Sequence, residues 1–414
     1  MEEIDMPFFN SFEMEQFTSE YHDEERMKMT LQEHGFVVVL NVLNDKELIE
    51  AEASLGKDLV EMLDAVENQG EAGSVYENLI KKPSHEVPKS FPHTPNFPCG
   101  GHGLPQGRFA WSLRLNQRVK NVFQLLYPED ELCCGMDQVF YAPYHLRASN
   151  RKVGHKWGHV DLNIHDKHDT IYASELKEWE IYQSIVSIWP STEETSWSTV
   201  MWPGSHRTTF PQIMKNLESD PHFCDISQVL GHFVSLNDKD MNAKYLREAR
   251  RVPLPPGSML IWNSKTVHQG ANSNQGMRLA MPICWEPKSR RSNGALNRKM
   301  LISASGLPST HWASLGNYHG DRKTRKSTSV ALNKDPKMIQ LARRKSIKPV
   351  TILDDSTDAL LEDDLRIMDM LKRLTSHDVG SGSQPSTIQY EELLNEDDAA
   401  FLRTLFKEEY LSVL

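Results

Sequence analysis

Between residues 154 and 169 the chain reads GHKWGHVDLNIHDKHD, four imidazoles and three carboxylates within one short segment. The pair with the clearest chemical meaning is His159 and Asp161. Side chains two apart on a strand project from one face, so an imidazole and a carboxylate at this spacing can share one ion. Taken alone, the segment also reads as a zinc loop, or as solvated polar surface with no ligand at all.

A second imidazole is offered by Thr266-Val267-His268-Gln269-Gly270, shortly after the apolar run 258–262. Two neutral imidazoles and one carboxylate on one face of a divalent ion leave three positions open, which suits ferrous iron and oxygen chemistry. Arg278 comes next, at the start of Met277-Arg278-Leu279-Ala280-Met281. Its planar fork suits a bidentate grip on a carboxylate, so a ligand with a carboxylate at each end could bridge metal and arginine. In isolation His268 reads as a loop histidine and Arg278 as one half of an ion pair.

Around these residues the chain is patterned as short strands punctuated by Gly and Pro, which points to a mainly β (α+β) core with flanking helices. Strands are expected at 36–40, 136–141, 181–189, 198–202, 258–262 and 277–285. One early helix is well marked, with Asn44 as its cap, Glu47 as the reciprocal partner, and Leu48, Ala51, Leu55, Leu59 and Leu63 at helical spacing. The metal-bearing core is expected over 31–287, after an N-terminal extension of 1–30.

Beyond Pro287 the charge is unevenly distributed. Residues 288–348 hold fifteen Lys/Arg against two Asp/Glu, and 351–414 hold fifteen Asp/Glu against five Lys/Arg. The basic stretch lacks sustained apolar periodicity and reads as a partly disordered connector, with a phosphate- or RNA-binding arm as the sharper alternative. The acidic tail, 349–414, carries two amphipathic helices, around 359–374 and 391–411, suited to mediating contacts.

A length of 414 residues with 39% hydrophobic content, nine Trp and fifteen Phe allows a large buried core. The longest apolar runs are strand-sized, too short to span a membrane. Net charge of −11 argues against general affinity for nucleic acid or anionic membrane. The five cysteines, odd in number and without a CxxC, read as reduced thiols. The start Met1-Glu2-Glu3-Ile4-Asp5 is acidic where a targeting peptide is basic, and Leu411-Ser412-Val413-Leu414 is no lipidation or peroxisomal signal, so a cytoplasmic protein is expected.

In order along the chain, several pieces together resemble the phytanoyl-CoA dioxygenase-like family of iron(II)/2-oxoglutarate-dependent oxygenases. They are Gly35-Phe36-Val37-Val38-Val39 with the helix start Leu43-Asn44-Asp45-Lys46-Glu47-Leu48, then Asp137-Gln138-Val139-Phe140, then His159-Val160-Asp161. Trp202-Pro203-Gly204-Ser205-His206-Arg207, Pro256-Gly257-Ser258-Met259-Leu260-Ile261-Trp262, His268 and Arg278 complete the series.

The resemblance implies a double-stranded β-helix of jelly-roll, cupin-like order, with a C-terminal helical extension in this chain. It implies Fe(II), 2-oxoglutarate and O2 as cofactor and co-substrates, and hydroxylation of a small-molecule C–H bond with release of succinate and CO2. His159, Asp161 and His268 match the iron ligands, and Arg278 the anchor for the distal carboxylate of 2-oxoglutarate. Trp189 matches a co-substrate-lining tryptophan, Gln138 a pocket-facing residue, and His206 a structural position.

Two departures stand out. Gly270 takes the place where many relatives carry a small hydroxyl residue, and the longer, more polar stretch between Asp161 and Trp189 makes phytanoyl-CoA a poor guess at substrate. Asp161 itself speaks against the halogenating variant of the fold. A non-catalytic binding or scaffold protein is the alternative reading. A zinc hydrolase is weakened by the lack of a general-base Glu beside the ligands.

Overall fold

The computed structural model describes residues 6–67, 103–142, 158–165, 179–192, 197–219, 234–236, 238–271, 278–314, 349, 360–376 and 394–414. His155 and His168, and the basic stretch from 315 to 348, lie outside the described residues. The described strands are β1 (Thr18–Glu20), β2 (Phe36–Leu40), β3 (Leu132–Cys134), β4 (Phe140–Ala142), β5 (His159–Val160) and β6 (Tyr182–Ser187). They continue with β7 (Ser198–Met201), β8 (Val234–Ser235), β9 (Arg250–Val252), β10 (Met259–Asn263), β11 (His268–Ala271), β12 (Arg278–Pro282) and β13 (Trp285–Pro287).

The described α-helices are α1 (Ser11–Glu15), α2 (Glu24–His34), α3 (Asp45–Glu67), α4 (Arg108–Arg114), α5 (Gln117–Leu126) and α6 (Ser205–Ser219). After them come α7 (Lys239–Glu248), α8 (Asn293–Ala304), α9 (Leu360–Ser376), α10 (Glu396–Leu405) and α11 (Glu408–Leu411). Among these, no helix is long and apolar enough to cross a membrane.

The chain divides into two compact units, each built from separate stretches: Met1–Asp45 with Ala142–Ala280, and Lys46–Tyr141 with Met281–Leu414. The first unit holds two sheets. One runs β1-β2-β10-β6-β12, with β10 antiparallel to both β2 and β6; the other runs β8-β5-β11-β7-β9, its partners antiparallel. Phe36, Val37, Val38 and Val39 are all buried, because β2 is covered on both faces, and the apolar run in sequence reflects that double cover.

Helices predominate in the second unit, so the chain is mixed α+β rather than mainly β. Asp58, on α3, accepts the backbone N–H groups of Arg108 (3.0 Å) and Phe109 (2.9 Å) and so caps α4 with a carboxylate from another helix. Burial raises the Asp58 carboxyl to about 6 against the opposing pull of those hydrogen bonds. Strands β3 and β13 pair antiparallel, and α8 packs against α9 and α10. The fully buried amine of Lys299 donates to the main-chain oxygens of Cys134 (2.7 Å), Ala313 (3.0 Å) and Leu414 (2.5 Å), and burial pulls it down to about 8. Cys133, Cys134 and Cys284 are buried thiols, and burial pushes Cys134 up to about 12.

The expected strands 181–189 and 198–202 are trimmed to β6 and β7, and two others depart further. Over 136–141 only Phe140 and Tyr141 join β4, because the N–H of Met136 is taken by Ser309 Oγ (2.8 Å) and that of Gln138 by Asp137 Oδ1 (2.6 Å), outside any ladder. The run 277–285 is split between β12 and β13 at Cys284, whose carbonyl accepts Gly135 N–H (2.8 Å). Within the stretch read as a connector, residues 293–304 form α8. Its residues from Arg298 to Ala304 are all buried, on every side of the helix, so no apolar stripe shows in the sequence. Of the two tail helices expected, the one at 359–374 is α9, whereas 391–411 is broken into α10 and α11 by extended backbone at Phe406 and Lys407.

Gly35 ends α2 in the left-handed region, at φ 81°, and hands the chain directly to β2. A Cβ there would overlap His206 Nδ1 and meet Thr266 Oγ1 at 2.5 Å. Gly35→Ala is therefore expected to cost ~2 kcal/mol or more, from overpacking added to left-handed strain. Urea unfolding measures this, and an unchanged midpoint would show that the contact is not as tight as described.

Candidate metal centre

His159 in β5 and His268 in β11 are direct cross-strand partners. Partners on an antiparallel ladder project from the same face, so the register alone brings two imidazoles together from residues more than a hundred apart in sequence. Their ring centroids are 4.4 Å apart, with the planes tilted by 49°.

Asp161 reaches the pair by a different route from the one its spacing suggests. Strand β5 ends at Val160, so the carboxylate is not carried on a continuing strand. Instead the Asp161 N–H donates to Ser264 O (3.2 Å), a bond that turns the chain at the strand end. The carboxylate then lies 3.5 Å from His159 Nε2 through Oδ1 and 3.2 Å from His268 Nε2 through Oδ2. All three side chains are nearly buried, with Asp161 the least covered at 9% exposure.

The turn between β10 and β11 organises this geometry. Besides Ser264, it supplies Thr266, whose carbonyl lies 3.0 Å from His268 Nδ1. With Nδ1–H donated there, Nε2 presents its lone pair to the carboxylate, and a cation, either proton or metal, must lie between them. The turn is itself held: Thr266 Oγ1 donates to Gly35 O (2.8 Å), Asn263 N–H donates to the same carbonyl (2.9 Å), and Val267 N–H donates to Ser205 Oγ (2.9 Å). The Pro203-Gly204-Ser205-His206 element thus braces the turn through Ser205, while His206 Nε2 lies on Gln32 O (3.2 Å) and ties the start of α6 to α2. Burial holds its imidazole below the usual range.

The donor set fits a divalent metal. One ligand atom from each of His159, Asp161 and His268 lies within 4.8 Å of the others. Ligands on one face of an ion with bonds of about 2.1 Å stand roughly 3 Å apart, so only small side-chain adjustments separate this cluster from a closed triad. His165 takes no part: its Nε2 lies 3.4 Å from Glu218 Oε1.

Arg278 opens β12, only 2% exposed, and its Nη2–H donates to Thr199 Oγ1 (3.0 Å). Burial, with repulsion from Arg251, pulls its guanidinium down to about 9, so it stays cationic near neutral pH. Thr199 pairs with Gly270, two residues along β11 from His268. Alternation puts Thr199 on the same face as His159 and His268, roughly 7 Å along the strand. The buried guanidinium and the triad thus meet at one face of one sheet.

Trp189, after β6, is half-buried and donates its N–H to Leu279 O (3.1 Å), the residue next to Arg278. Gln138 belongs to the second unit and is half-buried there. Four residues of the site were not anticipated from the sequence: Thr199, Ser264, Thr266 and Trp262, whose ring lies 5.1 Å from that of His268. Nothing local in the sequence marks Thr199 or the carbonyls of Ser264 and Thr266.

Residues 154–280 match the sequence profile of the phytanoyl-CoA dioxygenase family. A curated relative, Ava biosynthesis cluster protein O of Aspergillus versicolor, is 21% identical over 215 residues, 51% of this chain and 64% of that protein, so the match spans less than two thirds of its length. Among solved structures, the epimerase SnoN, in complex with Fe3+, alpha ketoglutarate and nogalamycin RO, is 17% identical over 64% of this chain and 84% of that one, with a TM-score of 0.38. EctD from S. alaskensis, with 2-oxoglutarate and 5-hydroxyectoine, is 12% identical over 70% and 83%, with a TM-score of 0.39. Superpositions at this level establish neither fold nor activity. The profile match spans all three triad residues and Arg278, so the similarity to that family falls on the stretch that carries the candidate site.

Proposed function

We propose that the protein is an iron(II)- and 2-oxoglutarate-dependent oxygenase that hydroxylates a C–H bond of a small-molecule substrate, with release of succinate and CO2. The observation that carries this reading is the ladder register of β11. It sets a two-histidine, one-carboxylate cluster at His268 and a buried guanidinium beside the partner of Gly270, a span suited to a five-carbon dicarboxylate. On the same reading, the two sheets of the first unit are the walls of a double-stranded β-helix.

Iron with 2-oxoglutarate and O2, when bound, supplies the oxidative decarboxylation and the oxygen transfer. The chain's own residues do the rest. His159, Asp161 and His268 would hold the metal by one face and leave the opposite face for co-substrate and O2. Thr266 O accepts Nδ1–H of His268, which leaves Nε2 as the atom that would ligate. Arg278, cationic and desolvated, would hold the distal carboxylate, since a charge-assisted pair is strong where water is excluded. Trp189 is assigned to the co-substrate wall.

Asp161→Ala is expected to abolish 2-oxoglutarate-dependent succinate formation and to lower iron retention after anaerobic reconstitution. Wild-type succinate release from that variant would refute the triad. Arg278→Lys should keep the metal but weaken 2-oxoglutarate binding about tenfold or more, because an ammonium cannot reproduce the bidentate fork. Calorimetric titration of the metal-loaded protein tests this, and equal affinity would count against the anchor.

A further inference from the structure

We infer that Thr199 is a positioning residue for the co-substrate, supplying from β7 the hydroxyl that position 270 on β11 lacks. The inference rests on the proposed oxygenase function and adds a residue to it.

Thr199 and Gly270 are register partners, so a side chain at either position points to the same side of the sheet, into the same space. Glycine puts nothing there. Thr199 fills the position from across the ladder, 3% exposed, and its Oγ1 accepts Arg278 Nη2–H at 3.0 Å. With one oxygen lone pair turned to the guanidinium, the hydroxyl hydrogen is directed away from it. The guanidinium and the hydroxyl together present donors to a single carboxylate, on the face that carries His159 and His268. Ser198, the neighbour on β7, points to the other face and accepts Arg251 Nε–H at 2.7 Å, so the two buried arginines are bound through opposite faces of the strand.

Thr199 therefore does two things: it fixes the rotamer of Arg278 and it donates to the distal carboxylate. A purely structural threonine would do the first alone. A 2-oxo acid without a distal carboxylate has nothing to gain from the hydroxyl, and this separates the roles.

The test uses the full chain loaded with Mn(II) under anaerobic conditions, with binding of 2-oxoglutarate and of 2-oxovalerate followed by calorimetry. Thr199→Val is expected to weaken 2-oxoglutarate binding about tenfold, to leave Mn(II) binding unchanged, and to leave 2-oxovalerate binding within twofold. Thr199→Ser, which keeps the hydroxyl, should restore most of the loss. If T199V fails to fold, Thr199→Ala carries the same comparison. Equal 2-oxoglutarate affinity in wild type and T199V would overturn the inference while leaving the proposed function intact. So would an equal loss for both acids, or loss of Mn(II), since either marks a structural role. Wild-type protein that takes up Mn(II) but no 2-oxoglutarate would defeat the proposed function and this inference with it.

Discussion

The cross-strand pairing of His159 with His268 is the interaction on which the site depends. A one-residue slip between β5 and β11 would turn one imidazole to the opposite face of the sheet and dissolve the cluster. Strand β5 is only two residues long, so its own ladder cannot hold that register. The register is held from outside, by β8 on one side of β5 and by the longer β7 to β11 pairing on the other. The same β7 to β11 pairing places Thr199 opposite Gly270, so one ladder sets both the metal cluster and the guanidinium site.

A second constraint comes from the turn after β10. Its Ser264 carbonyl fixes Asp161 and its Thr266 carbonyl fixes His268, so two of the three candidate ligands are held by main-chain oxygens of one short loop. That loop is bound in turn to the Gly35 carbonyl and to Ser205 at the start of α6. Dispersed elements of the sequence, a glycine before the first long strand and a Pro-Gly-Ser-His turn much later, thereby converge on the placement of one imidazole. Rigid backing of this kind is what lets ligands hold their geometry in a nearly dry site.

His159, Asp161, His268 and Arg278 were legible in the sequence because side-chain chemistry and order along the chain name them. How they meet was not. The His-x-Asp spacing suggests one strand carrying both groups, whereas the strand stops at Val160 and a main-chain hydrogen bond brings Asp161 in. Thr199 was hidden because a threonine in a small-residue strand has no local mark; only the register reveals that it faces Gly270. Strands covered on both faces, β2 and β10, were readable as apolar runs. Helix α8 was not, since burial on all sides erases helical periodicity and its charged Lys299 and Arg298 imitate a solvated connector. In the second unit that lysine instead donates to three main-chain oxygens.

If the proposed function holds, one face of one sheet binds a metal and, beside it, a dicarboxylate. An anaerobic titration of the full chain, first with Fe(II) and then with 2-oxoglutarate, followed by visible absorption, reads both events in one sample. The expected result is uptake of a single iron equivalent, then a metal-to-ligand charge-transfer band that saturates with 2-oxoglutarate and does not form without iron. Failure to bind iron, or iron uptake with no band on adding 2-oxoglutarate, would contradict it.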